Sequence, residues 1–157
     1  MTKKRITIER TFDAPIEDVW ELWTTKEGIE SWWGPDGFVV TVRKIDLRPG
    51  GDMEYAMTAV GGDQIAFMKK SGMPLSADHR LTYVEIVHHV RLVYSHQVDF
   101  IPSVEPYDAG TMVEFHPSAS GVRLVLTIDA MHDENWTKMA VMGWESELAK
   151  LAKVLEV

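Results

Sequence analysis

His96 falls in phase with Leu92, Tyr94, Val98 and Phe100 in the stretch LVYSHQVDF, whose alternating apolar residues predict a strand with one dry face. An imidazole on that face could orient a polar ligand group, or act as acid or base near neutral pH. Hydrogen-bonded to Tyr94 or to a backbone group, it would be structural instead. Glu147 is a second titratable candidate. With roughly 100° of rotation per helical residue it shares a side with Trp136, Ala140 and Leu151, where burial would raise its pKa. Pairing with Lys150 three residues on, or a place near a rim, is the plainer reading. Arg10 shares the face of Ile8 and Phe12, so its guanidinium either snorkels out or pairs with a carboxylate such as Glu54, Glu85 or Glu114, a structural ion pair rather than a ligand contact.

The adjacent His88 and His89 suggest a metal at first sight, but neighbouring strand residues point to opposite faces and do not converge on one ion. No His-Glu-x-x-His spacing occurs, and His116 and His132 sit at element ends, where they read as surface residues. The chain has no cysteine, hence no disulfide, thiolate nucleophile or Cys-ligated metal. It also lacks a Ser-His-Asp order, a phosphate-cradling glycine loop and a dinucleotide fingerprint. No metal or cofactor is expected, and His96 stands as the one weak catalytic candidate.

A formal charge of −8 over 157 residues disfavours nucleic acid and anionic membranes as partners, because phosphate binding needs a cationic surface. Lys3, Lys4 and Arg5 form only a short solvated cluster. The N-terminal residues lack the apolar run of a signal peptide, and no segment approaches the ~20 apolar residues of a membrane span. A cytoplasmic protein of one domain, residues 1–157, without membrane insertion, is the expectation.

These side chains must be positioned by a particular order of elements. RITIERTF, residues 5–12, alternates as a strand. In the next stretch Ile16, Val19, Trp20 and Trp23 follow helical spacing, with Pro15 suited to the first helical position. Thr25 can cap a second short helix in which Ile29, Trp32 and Trp33 share a side before Gly34-Pro35 stops it. Since adjacent helical residues diverge, one tryptophan should pack inward, Trp33 by preference, and the other should lean toward the rim. Pro49-Gly50-Gly51 makes a hairpin turn, and Met53, Tyr55 and Met57 share one strand face.

The segment 61–80 interrupts the strands as an insertion or lid, with a short helix around Ile65, Phe67 and Met68. Strands near 80–87 and 90–100 meet at the His88-His89 corner, and a further hairpin turns around residues 117–121. The loop IPSVEPYDAGT reads as a stiffened rim. A final helix follows, with Asp133 as N-cap and Trp136, Ala140, Gly143, Trp144, Leu148, Leu151 and Leu155 at helical spacing. The pattern is α+β, an antiparallel sheet curved around one long helix with two short helices closing an end.

The motifs RTFDAPIEDVWELWTT, WWGPDGF, DLRPGGDMEY, YVEIV, GVRLVLTIDA and GWESELAKLAKVL, in this order and spacing, resemble the activator of heat-shock-protein ATPase homologue family of the START-like (SRPBCC) superfamily. The resemblance implies a helix-grip fold of about six to seven strands, with an apolar cavity between sheet and C-terminal helix. Members of the wider superfamily bind lipids, sterols, polyketides and other hydrophobic molecules, and some are cyclases or dehydratases. The family's namesake co-chaperones carry an N-terminal module that engages the chaperone, whereas this sequence starts at the START-like region.

Non-catalytic binding of a small hydrophobic or amphipathic molecule is the leading functional reading. Trp20, Trp33, Met53, Tyr55, Met57, Tyr94, His96, Met139 and Trp144 are expected to line the cavity. Ile16, Trp136 and Met142 are further lining candidates, with the methionines lending plasticity. An acid-base enzyme of the cyclase, dehydratase or hydrolase kind using His96, and a stress-response protein acting on a chaperone partner, are the alternatives. A homodimer stays open.

Overall fold

In the computed structural model, which describes residues 4–99, 101 and 103–156, the elements follow the expected order. The strand β1 (Arg5–Phe12) leads into α1 (Ile16–Thr24) and α2 (Lys26–Trp32). Then come β2 (Phe38–Ile45), β3 (Asp52–Ala59), α3 (Gly62–Lys70), β4 (Ser76–Val87), β5 (Arg91–Val98), β6 (Tyr107–Pro117), β7 (Val122–Asp129) and α4 (Glu134–Leu155). The seven strands form one antiparallel sheet in the order β1-β7-β6-β5-β4-β3-β2. Each strand from β2 onward pairs with its successor, and β1 closes on β7 with Arg5 opposite Asp129 and Phe12 opposite Val122. Register shifts at Val42/Lys44 and Tyr83/Glu85 place bulges in β2 and β4, where a sheet bends.

Local chemistry sets the helix ends. Pro15 is the N-cap of α1 rather than its first residue, one position earlier than expected. The Thr25 hydroxyl accepts from the Gly28 N–H at 3.0 Å and opens α2. There a Cβ on residue 28 would lie 2.6 Å from the Glu21 carbonyl oxygen, so only glycine lets α1 and α2 meet this closely. Asp133 accepts from the Trp136 N–H at 2.7 Å and caps α4. Val19, Ile29, Trp23 and Trp32 close one end of the core, with Trp23 meeting Phe115 of β6 edge-on, while Leu148 and Leu151 anchor the C-terminal half of α4.

Several expectations need correcting. Trp32 and Trp33 are both buried, with rings 6.0 Å apart, because Trp33 is the C-cap of α2 and its extended backbone frees it from helical phase. His88 and His89 do not diverge: their rings lie 3.8 Å apart, because His89 takes a left-handed turn conformation (φ 61°) that breaks strand alternation. Both rings meet Trp20 edge-on. Among the described residues no group of three or more potential metal ligands forms.

Arg10 pairs with none of Glu54, Glu85 or Glu114. It reaches Glu145 of α4 at 3.4 Å, an exposed pair of small energetic weight. The last part of segment 61–80 is no insertion but the start of β4 at Ser76. The short helix expected there is α3, tied down by the Val60 and Gly61 N–H groups, which both donate to the Gly37 carbonyl. The rim loop is shorter than expected, since β6 already starts at Tyr107. Phe100 lies outside the described residues. Among the described residues no helix is long and apolar enough to cross a membrane.

Candidate ligand-binding site

Trp33 is the hub of an aromatic stack between α4 and the concave sheet face. Its ring lies 6.2 Å from Trp23, 5.5 Å from Tyr55, 6.4 Å from Tyr94 and 6.4 Å from Trp144. Trp144 in turn stacks on Trp23 at 5.9 Å and 16°. Ring pairs at such separations contribute beyond the area they bury, so the assembly is a firm wall. Three polar atoms in it have no hydrogen-bond partner although fully buried: the indole nitrogens of Trp23 and Trp33 and the Tyr94 hydroxyl. Trp32, by contrast, donates its indole N–H to the Leu22 carbonyl at 2.7 Å.

Glu147 closes the inner edge of the stack. Only 8% exposed, it accepts from the Gly34 N–H at 2.7 Å. Burial raises its pKa from 4.5 to about 7, opposed by the Gly34 hydrogen bond and by Lys150. The expected Glu147–Lys150 pairing, or a rim position, gives way to this. Lys150 directs its ammonium to the Gly34 carbonyl at 2.9 Å and toward the Phe38 carbonyl at 3.5 Å. Ser146 accepts from the Asp36 N–H, so Ser146, Glu147 and Lys150 together fasten the 34–38 loop to α4. Burial also holds the Tyr55 and Tyr94 phenols neutral, with Glu147 adding to both shifts. Thr111 acts the other way on Tyr94, although no hydrogen bond of ordinary geometry reaches that phenol oxygen.

The inward stripe of α4 changes character along its length. Glu147, Leu148 and Leu151 are buried, whereas Trp136, Ala140, Gly143 and Trp144 in the N-terminal half are only half-buried. Trp136 packs beside Val98, Ile101 and Ala109, a small second core, while Trp144 belongs to the main one. His96 lies between these anchors, since Tyr94, His96 and Val98 alternate onto one face of β5. On the same side of the sheet Tyr55 stacks against His79 at 5.4 Å, and Tyr55, Met57, His79 and His96 are all half-buried.

Both imidazoles are biased toward the neutral form. Burial lowers the pKa of His96, helped by His79 and opposed by Asp129 and Asp108; burial lowers that of His79 against Asp99 and Asp78. Two open hollows lie nearby. One, of about 280 Å³, borders this region: Tyr55 and His79 line it together with Arg43, Glu54, Asp78, Arg80 and Asp99. The other, of about 190 Å³, lies between the 34–38 loop and α4 beside Asp36, Ser146 and Lys153.

A curved seven-stranded antiparallel sheet, a long C-terminal helix and two short helices after β1 make up a helix grip. The sequence profile of the family described as Activator of Hsp90 ATPase homolog 1-like protein matches residues 13–156. The chain belongs to that family. Its fold is shared with a solved protein from Chromobacterium violaceum, 25% identical, with TM-score 0.78 over 98% of this chain and 97% of that one. An AHSA1-like protein from Aeromonas hydrophila is 22% identical, with TM-score 0.73 over 98% and 92% of the two chains. An AHSA1 protein from Silicibacter pomeroyi is 20% identical, with TM-score 0.74 over 98% of each chain. No curated protein matches the sequence.

Of the residues singled out from the sequence of this AHSA1-like protein, Trp33, Tyr55, Tyr94 and Trp144 meet in the stack. His96 and Met57 flank the half-buried stretch of the same face, and Met53 is fully buried beneath it. Trp20 stands apart, packed on Phe115 and the His88-His89 corner. Met139 is a correction: it is 46% exposed, and Met142 67%. By helical rotation Met139 lies roughly 80° from Glu147 on the flank away from Leu148, so it faces solvent. The sequence reading missed Trp23 and His79 as members of the group. Trp23 was visible only as one core position of α1, and His79 fell within the presumed lid.

Proposed function

We propose that this AHSA1-like protein, acting as one START-like domain, binds a small hydrophobic or amphipathic molecule between the N-terminal half of α4 and the concave sheet. The observation that carries the reading is the half-buried character of both surfaces there. Trp136, Ala140, Gly143 and Trp144 on the helix, with Tyr55, Met57, His79 and His96 on the sheet, leave apolar area that an occupant would remove from water. The deeper rings form its floor. Ligand-dependent thermal shifts and native mass spectrometry against a panel of aromatic and aliphatic small molecules test this. A raised melting temperature with a one-to-one mass adduct is expected, and failure of every panel member to do either would sink the proposal.

A second reading, acid-base catalysis in the same place, is favoured by one observation. The environment keeps His79 and His96 neutral while it keeps Glu147 protonated up to about pH 7, which separates a candidate base from a candidate acid. Turnover of an activated ester or an enone that is lost in His96→Asn, with binding retained, would support it. Turnover unaffected by that substitution would remove His96 as the base.

A further inference from the structure

We infer that the ligand presents an uncharged hydrogen-bond-accepting oxygen, such as that of a ketone, aldehyde or ester, to the donors in the wall formed by Trp23, Trp33 and Tyr94. The inference rests on the binding reading above and gives it a chemical class. Among the described residues, the buried side-chain nitrogen and oxygen atoms without a partner are those of these three rings. The rings are contiguous, with Trp33 6.2 Å from Trp23 and 6.4 Å from Tyr94. An indole N–H can only donate, and a neutral phenol donates one hydrogen. The wall therefore holds a surplus of donors, and its complement is an acceptor.

At Tyr94 phenylalanine would supply the same ring without a buried polar atom left unmatched. Three such atoms on neighbouring rings, next to the half-buried stretch of α4, mark a polar contact point in an otherwise apolar site. The ligand oxygen should carry no charge. Glu147 lies close enough to act on both Tyr55 and Tyr94, and when ionised it repels an anion. Lys150, the cation acting on Glu147, already donates to the carbonyls of Gly34 and Phe38. A carboxylate or phosphate at these three rings would therefore meet the Glu147 carboxyl with Lys150 already engaged.

The test compares acetophenone with α-methylstyrene, which has nearly the same shape but a CH₂ group in place of the oxygen. Titrations are followed through the indole N–H signals of the ¹⁵N-labelled protein. Transfer from water to an apolar medium favours the hydrocarbon, so a merely apolar pocket would take α-methylstyrene more tightly. The inference predicts that acetophenone binds at least as tightly and moves the Trp23 or Trp33 indole proton downfield. Tyr94→Phe should then weaken acetophenone about five-fold and leave α-methylstyrene unchanged.

Tighter binding of the hydrocarbon, with no downfield indole shift from the ketone, would overturn the acceptor inference and leave the binding reading standing. Binding of neither probe would overturn both. Because Tyr94→Phe removes a single buried oxygen, the variant is expected to fold. Trp33→Phe, read with the same two probes, gives a second and independent loss of preference.

Discussion

Replacing Glu147 by glutamine should remove a pH dependence from the stability of the fold. The carboxyl has an ordinary value of 4.5 and is held at about 7, chiefly by burial, against the opposing effects of the Gly34 N–H and Lys150. Between these values the folded protein keeps a proton that the unfolded chain has released. The contribution is therefore fully present below the unfolded value of 4.5 and is lost as pH rises through the folded value of about 7. The pKa displacement corresponds to on the order of 3 kcal/mol, a large part of an ordinary domain's stability.

The amide introduced by Glu147→Gln would still offer a carbonyl oxygen to the Gly34 N–H but could not ionise. His79 and His96, whose pKa values are lowered, act with the opposite sign: they oppose folding as pH falls below their unfolded value. They are common to both proteins and drop out of the difference. Tyr55 and Tyr94 stay neutral throughout the range. Urea unfolding midpoints of wild type and Glu147→Gln, taken from about pH 4 to pH 8, are the assay. The variant should gain on wild type as pH rises and be the more stable protein at pH 8. Parallel pH profiles, or a variant less stable at pH 8, would refute the assignment of Glu147 as a buried, reluctantly ionised carboxyl.

Other outcomes follow from the packing. Gly28→Ala should lower stability by about 1–3 kcal/mol in thermal melts, because the new Cβ meets the Glu21 carbonyl oxygen at 2.6 Å and the Leu22 Cα at 2.8 Å, both backbone atoms. An unchanged melting temperature would show that α1 and α2 can separate freely. Leu151→Ala, at a fully buried position, should lose about 2–5 kcal/mol, whereas Met139→Ala should stay within about 0.5 kcal/mol; similar losses for the two would contradict the helix orientation. Tyr94→Phe should keep or raise stability by about 1 kcal/mol, since it removes an unmatched buried hydroxyl; a clear loss would mean the hydroxyl has a partner after all.

What was legible in the sequence was whatever a single element determines. Alternation marked β1 from Arg5 to Phe12, and the Thr25 and Asp133 side chains marked the starts of α2 and α4 because a cap needs only its own first turn. The order of these elements, with the motifs they carry, pointed to the helix grip. What failed depended on contacts across the fold or on one unusual backbone torsion. The polar stretch SADHR hides a strand because only Ala77 and His79 in it turn inward, and both are only half-buried. Trp32 and Trp33 both enter the core because the helix stops between them, and His88 meets His89 because of one positive φ. Glu147 was correctly placed on the apolar stripe, yet its partner, the Gly34 N–H, lies 113 residues away and has no local signature.

The central claim is that an occupant lies between the N-terminal half of α4 and the concave sheet. The most direct measurement is probe binding to Ala140→Trp beside wild type, read by indole and methyl NMR shifts with thermal melting as the fold control. Ala140 is half-buried on the inward stripe, so an indole there should fill the proposed site without entering the tightly packed end around Leu148 and Leu151. The account predicts that a probe which shifts Trp33, Trp144 and Met57 in wild type loses its binding in Ala140→Trp, while the variant still melts cooperatively. Undiminished binding to a folded Ala140→Trp would place the occupant elsewhere and contradict the account.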